Sequence, residues 1–398
     1  MKGFDLIILG AGITGLSVAR QKILSSPDCK ILIIEKEKQV GLHGSGRNSG
    51  VLHSGIYYPT DTLKAKFCAE GSALMADYCE EHNLPILRCG KVIIPTKIED
   101  DSQIDLLYDR GVLNGASVEI ISQKELKEIE PEANLTVNRA LHSPNTAVVD
   151  PHLILEKIYS ELKKSGVTIL FNEKVVLANP DLSTIETNNG NIFKYGHLIN
   201  CTGQYSDVVS KIFNVGCKYT LLPFKGVYYG LNKDSDIKIN GLIYPVPDLN
   251  VPFLGIHSVK LINEDIYFGP TATPAFGREN YYGIKGVNIK DASSISYHLL
   301  RQYISNKQGF RSYTHQEMHK FFKKEFLKSM QSLIPRLSSS DLVESQKVGI
   351  RAQLLDTKRN ELVMDFVVER VDNTTHVLNA VSPAFTSAFS FAKYILNK

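Results

Sequence analysis

The sequence predicts an α/β protein built in two parts: a parallel sheet flanked by helices, and an antiparallel-sheet lobe inserted into it. Three observations predict this. Residues 4–35 read as strand, glycine turn, helix, strand and acid. Residues 218–282 change to alternating apolar and polar positions broken by Gly and Pro, the period of an antiparallel sheet. Residues 349–398 then return to strands and a closing helix. At 398 residues the chain has length for two such domains. The expected division is 1–90, 145–217 and 345–398 for the first, and 91–144 and 218–344 for the second.

The opening stretch is the most informative. Residues 4–9 (FDLIIL) form an apolar run suited to a buried parallel strand, and residues 10–15 (GAGITG) turn into a helical pattern. A second apolar run, 31–34, ends in Glu35. In such a βαβ frame Gly10 permits the tight turn, Gly12 lets a pyrophosphate approach the backbone, and Gly15 lets helix and strand pack closely. The helix N-terminus offers unpaired N–H groups to phosphates. Glu35 would accept hydrogen bonds from a ribose hydroxyl and repel a 2′-phosphate. This is a Rossmann-like dinucleotide fingerprint.

Composition excludes several classes. With 45 basic and 42 acidic residues the net charge is +3, too slight to argue for nucleic acid. The six cysteines form no CxxC pair and no metal-finger spacing, so they read as reduced thiols of a cytoplasmic protein with no metal site. The first apolar run belongs to the strand rather than to a signal peptide, and no run approaches the ~18–20 residues of a membrane span.

Downstream, residues 41–50 (GLHGSGRNSG) suit a ligand-wrapping loop, and His53, Tyr57 and Tyr58 follow it. Helices are expected at 61–82, 102–114 and 123–129, and from Asp150-Pro151 to 164, the last with Asp as N-cap and Pro at the first helical position. Strands are expected at 91–96, 167–171, 173–177 and 197–203, with Asn188-Asn189-Gly190 as a hairpin turn. In the second lobe they are expected at 221–230, 241–247, 251–257 and 265–271. Residues 290–340 read as helical, with Lys320, Lys323, Lys324 and Lys328 opposite Phe321, Phe322 and Phe326. That basic amphipathic face admits peripheral contact with a membrane, though a solvated surface helix is the commoner outcome. Strands at 361–369 and 375–380 precede a final helix opened by Ser382-Pro383 and running 384–396.

Only one βαβ fingerprint is present, beside a separate sheet lobe. By fold analogy this suits one tightly held flavin, FAD, reduced directly by a small molecule, better than a nicotinamide dehydrogenase.

Several stretches resemble the D-amino-acid-oxidase-type FAD oxidoreductases, and within them the L-2-hydroxyglutarate dehydrogenases/oxidases: 48–58 (NSGVLHSGIYY), 63–68 (LKAKFC), 89–92 (CGKV), 223–226 (PFKG), 243–247 (IYPVP), 252–257 (PFLGIH), 349–353 (GIRAQ) and 382–387 (SPAFTS). The resemblance implies noncovalent FAD held by Gly10, Gly12, Gly15, Glu35, Ser45, Asn48 and Ser49, with Val175 near the adenine, Thr202 and Gly203 near the diphosphate, and Ser382, Pro383, Ala384, Phe385 and Thr386 near the flavin. Ile13, Thr14, Lys36, Arg47 and Gly349 complete the expected cofactor set. The chain departs from the family at Arg47, where His is usual, and at Phe385, where a small residue is usual. Lys225 replaces an Arg, and Gly277, next to Arg278, replaces a Lys.

The implied reaction is oxidation of an L-2-hydroxy acid, foremost L-2-hydroxyglutarate to 2-oxoglutarate. Arg351 is the expected carboxylate clamp, because guanidinium binds carboxylate bidentately. His53, then His257, are the expected bases, since neutral imidazole removes protons near pH 7. Tyr57, Tyr58, Lys225, Tyr229, Arg278 and Thr386 are expected around the substrate. The electron acceptor stays open among oxygen, a quinone and a carrier protein. Two other readings stand beside this one: a flavin oxidase of a small amino or imino acid or another 2-hydroxy acid, and an FAD-binding protein without turnover.

Overall fold

The structure is a computed structural model that describes residues 2–398. The chain forms two compact units: residues 1–48, 151–223 and 351–398, and residues 49–150 and 224–350. The first boundary falls after Asn48 rather than near residue 90, so the 49–90 stretch belongs to the second unit.

In the first unit Lys2–Leu9 is the central strand, parallel to Ile31–Ile34 on one side and to Ile192–Asn200 on the other. Register places Leu6 and Ile8 beside Ile31 and Ile33, and beside His197 and Ile199. Continuous apolar runs are what a parallel strand covered on both faces requires. The sheet continues through Thr168–Leu170 at one end and the hairpin Val175–Asn179/Thr184–Thr187 at the other. Gly190, at φ +77°, makes the turn between Thr184–Thr187 and Ile192–Asn200. Thr374–Asn379 pairs in parallel with the end of Ile192–Asn200. The helix Ile13–Ser25 packs on Pro151–Lys164 and Ala388–Asn397, with Ile13, Leu16, Val18 and Ala19 buried.

The second unit holds a mixed four-stranded sheet, in the order Leu242–Pro245, Lys91–Ile94, Ala140–Ser143 and Glu119–Ile121. Its first pair is parallel and the other two are antiparallel. A small sheet of Val51–Leu52, Ala147–Val149 and Ile86–Leu87 lies in the same unit. The hairpin His257–Lys260/Ile266–Gly269 pairs with Tyr229 and Gly230 of the long strand Tyr219–Leu231. Helices Leu63–Glu81, Asp101–Leu113, Gln123–Ile129, Ile289–Ser305, Phe310–His319 and Lys323–Gln331 complete it.

Three expected elements change, among them the strand expected at 361–369, which is split into Glu361–Leu362 and Val367–Val371. Residues 251–256 form no strand: Pro252 has no N–H to give a ladder, the Gly255 carbonyl is taken by His257 Nδ1, and pairing begins only at His257 opposite Gly269. The last helix starts at Ala388, not 384. Residues 382–387 form a turn instead, in which the Ser387 N–H bonds the Pro383 carbonyl at 2.9 Å. All six cysteines are free thiols.

Two histidines make the first unit acid-sensitive. His376 is fully buried, with Nε2 3.1 Å from Thr374 Oγ1, and His197 Nε2 lies 2.9 Å from Thr375 Oγ1. Burial, then the charges of Arg370 and Lys22, pushes His197 down to about 4; burial, then His197, does the same to His376. Both stay neutral in the fold while the unfolded chain takes up protons below about pH 6.5. Stability is therefore full above that value and falls as pH drops toward 4. Thermal unfolding midpoints from pH 7.5 to 4.5 check this: the midpoint falls below pH 6.5, and His197→Gln makes the fall shallower.

Candidate dinucleotide and substrate sites

The glycine turn is built by close approach. Gly10 has φ +100°, and a Cβ there would stand 2.7 Å from the Cys201 carbonyl oxygen. A Cβ on Gly15 would stand 2.0 Å from the Gly10 carbonyl oxygen, a backbone clash that no rotamer relieves. Gly12 has no side chain to cap the helix, so the first-turn N–H groups are left to other acceptors. Ser45 reaches back to this end: its Oγ accepts the Ile13 N–H at 2.9 Å. Thr14 is the next residue along the same first turn.

Glu35 is buried, and both its oxygens accept backbone N–H groups, from Ala11 at 2.7 Å and from Glu37 at 2.9 Å. The acid at the end of the second strand thus fixes the glycine turn and still has lone pairs for a ribose. The 41–48 loop is held by its own side chains. Arg47 Nε donates to the Leu42 carbonyl at 2.9 Å, and the Asn48 amide donates to the Ser45 carbonyl at 2.6 Å. Arg47, the unusual residue of this stretch, thereby has a structural use. Lys36 is held by Glu37 and by His43 Nε2, and lies over the Tyr205 ring.

Asn200 Oδ1 accepts both the Thr202 N–H and its hydroxyl, and Gly203 follows at φ +55°. Val175 is buried opposite Thr187 in the hairpin. Ser382, Pro383, Ala384, Phe385 and Thr386 lie in the turn before the last helix, with Thr386 buried. Arg351 belongs to this unit, on the strand Leu342–Asp356. The glycine cradle, the bare helix end and the paired Glu35 fit a dinucleotide diphosphate and its ribose.

In the second unit, which begins at Ser49, the loop after Val51–Leu52 carries His53, Tyr57 and Tyr58. It is clamped rather than loose. Asn114 donates to the carbonyls of Gly55 and Tyr58, both at 2.9 Å; Arg110 donates to that of Tyr57 at 3.2 Å; and Ser54 Oγ lies 2.9 Å from Ser143 Oγ. The Cys68 thiol donates to the His53 carbonyl at 3.2 Å. His257 is buried, with Nδ1 2.8 Å from the Gly255 carbonyl, which assigns the proton to Nδ1 and leaves Nε2 as the basic nitrogen. Its ring stacks on Tyr244 with centroids 3.8 Å apart.

Lys225 Nζ donates to Asn280 Oδ1 at 3.3 Å, and burial lowers its pKa. Arg278 is buried nearby in sequence, two residues before Asn280. A side chain at Gly277 would meet the Gly286 carbonyl at 2.1 Å, so this backbone excludes the lysine found there in the family. Tyr229 sits elsewhere: its ring packs edge-on against Phe326, centroids 4.7 Å apart, at the edge of an apolar cluster. Gly349 lies mid-strand in Leu342–Asp356, at the edge of the second unit. Two residues escaped the sequence reading. Lys91 and Tyr244 read as ordinary strand positions in the sequence.

The first unit therefore defines a dinucleotide-binding oxidoreductase class. The chain belongs to the FAD dependent oxidoreductase family, whose model matches residues 5–397. It is 37% identical to the L-2-hydroxyglutarate dehydrogenase of Indibacter alkaliphilus, covering 97% of this chain and 96% of that one. It is 32% identical to the L-2-hydroxyglutarate dehydrogenase of Escherichia coli K12, covering 99% and 93%. Among solved structures it matches the FAD-bound L-α-glycerophosphate oxidase of Mycoplasma pneumoniae, with TM-score 0.78, 20% identity and coverage of 100% and 96%. Glycine oxidase of Geobacillus kaustophilus matches with TM-score 0.70, 15% identity and coverage of 100% and 96%. The likeness to these structures is one of fold. The chain is an FAD-dependent oxidoreductase of mixed α/β fold.

Proposed function

We propose that this chain oxidises L-2-hydroxyglutarate to 2-oxoglutarate. The observation that carries the reading is the near full-length similarity to L-2-hydroxyglutarate dehydrogenases. FAD would be held by the glycine turn, Ser45 and Glu35 and would supply the two-electron acceptor that the oxidation needs. Arg351 clamps the C1 carboxylate. His53, half-buried on a clamped loop, takes the hydroxyl proton, so that alcohol minus hydride and proton leaves the ketone. His257 orients rather than reacts, because its ring is buried and stacked on Tyr244. Lys225, tied to Asn280, and Arg278 are the remaining basic groups for the distal carboxylate, since residue 277 has no side chain. Tyr57 and Tyr58 flank the substrate side of the His53 loop.

Anaerobic addition of substrates to the purified flavoprotein tests this. L-2-Hydroxyglutarate bleaches the flavin band, whereas D-2-hydroxyglutarate, glycerol 3-phosphate and amino acids do not. His53→Asn slows bleaching by about 10²-fold or more with FAD retained, and Arg351→Met raises KM. Rapid bleaching by an amino acid alone would replace the alcohol with an amine as donor.

Among the described residues no helix is long and apolar enough to cross a membrane. We further propose that a quinone is the electron acceptor, met at a membrane surface by the tip bearing Met318, Phe321 and Phe322. These residues are 63%, 74% and 65% exposed. The nearby lysines are largely engaged: Lys320 with Glu317, Lys328 with Glu325, and Lys323 with the Ser339 and Leu342 carbonyls. Apolar contact rather than charge would then carry the attachment. Flotation with neutral phosphatidylcholine vesicles checks it. Wild type co-floats and Phe321→Ser/Phe322→Ser does not; no co-flotation of either would favour oxygen or a soluble carrier.

A further inference from the structure

The second unit buries a positive charge that nothing in its fold uses. Lys91 opens the strand Lys91–Ile94, between Leu242–Pro245 and Ala140–Ser143, and is 1% exposed. Among the described residues its ammonium has no hydrogen-bond partner. It lies 4.9 Å from the Tyr57 ring centroid and 5.5 Å from that of Tyr244. Ring faces attract a cation, but they do not balance its charge.

The titratable groups that face it come from three elements: Tyr57 on the 53–58 loop, Cys68 on the helix Leu63–Glu81, and Tyr244 on the strand Leu242–Pro245. Burial pushes both phenols well above their ordinary range and Cys68 up to about 12, so all three stay neutral. Among the described residues no carboxylate accepts a hydrogen bond from the amine. Burial lowers Lys91 to about 8, which leaves it mostly charged at pH 7. A buried ammonium without counter-ion or acceptor is costly, and an apolar side chain of similar volume would serve packing better. The charge therefore has its use in something the unit binds.

Lys91 is also one side chain removed from each candidate histidine. Cys68, which senses it, donates to the His53 carbonyl, and Tyr244, whose ring it faces, stacks on His257. We propose that Lys91 is a positioning residue whose fixed positive charge, beside Tyr57 and the Tyr244–His257 stack, draws the carboxylate of the 2-hydroxy acid toward the second unit. The inference rests on the proposed 2-hydroxy-acid reaction but not on which acid is used. It assigns Lys91 no contact with the substrate; its charge acts through a poorly screened, low-dielectric interior.

The test compares wild type with Lys91→Met, which keeps the length and removes the charge. The variant is expected to load FAD fully and to unfold at the same or a higher temperature, as removal of an unbalanced buried charge predicts. Its KM is expected to rise about tenfold, the effect of one unit charge acting over about 10 Å at an effective dielectric constant near 20, with kcat within about threefold. In wild type, KM rises from pH 7 to 9 as the amine loses its proton, and this rise is absent in Lys91→Met. The wild-type pH series keeps the test informative should the variant fold poorly. An unchanged KM in the variant, or a wild-type KM flat from pH 7 to 9, overturns the proposal. If L-2-hydroxyglutarate fails to reduce the wild-type flavin while another 2-hydroxy acid succeeds, the proposed substrate falls instead, and the same comparison is run with that acid.

Discussion

One carboxylate and one close contact organise the first unit. Glu35 closes the glycine turn by accepting the Ala11 N–H, and the Gly10 carbonyl lies where any Cβ on residue 15 would have to go. Together they set the start of the helix Ile13–Ser25 against the ends of the strands Lys2–Leu9 and Ile31–Ile34. That end is where the unpaired N–H groups and the positive end of the helix dipole lie. Ser45 and Asn200 add side-chain bonds around the same turn and its neighbouring strand end. A phosphate-binding cradle and a ribose acceptor follow from packing constraints before any ligand is considered.

The second unit solves a different problem. Its reactive loop is held by Asn114, Arg110 and Ser54 through bonds to backbone and hydroxyl groups, so the His53 and Tyr57 side chains need not maintain the loop themselves. The unit then carries a charge, Lys91, that packing would reject. A stable element with a locally unfavourable group is a common form for a functional site, because stability supplied elsewhere offsets the local cost.

The legible parts of the fold were those governed by local rules. The helix Pro151–Lys164, expected from Asp150-Pro151 at its start and Gly166 beyond its end, appears with the expected bounds. The hairpin turn at Gly190 and the helix Gln123–Ile129 were equally local. Misplaced parts depended on partners distant in sequence. The strand at 257 starts where Gly269 can pair, and the last helix starts where the Ser387 carbonyl receives the Phe391 N–H. At the site, the glycines and Glu35 were legible because spacing alone implies their geometry, whereas Ser45 came only from the family resemblance. Lys91 was not: a lysine at a strand start ordinarily faces water, and only tertiary packing shows that this one does not. Gly277 was legible as a departure from family pattern, yet its cause, the Gly286 carbonyl, was visible only in the fold.

The central claim is that the close-packed glycine turn is the FAD cradle, and the flavin-to-protein ratio of purified chains tests it most directly. Wild type is expected to hold about one FAD per chain. Gly44→Ala, where a Cβ meets nothing within 4 Å, should match it. Gly15→Ala, whose Cβ would strike the Gly10 carbonyl, should fold with a displaced turn and retain less than about a tenth of the flavin. Full flavin occupancy in Gly15→Ala would contradict the account.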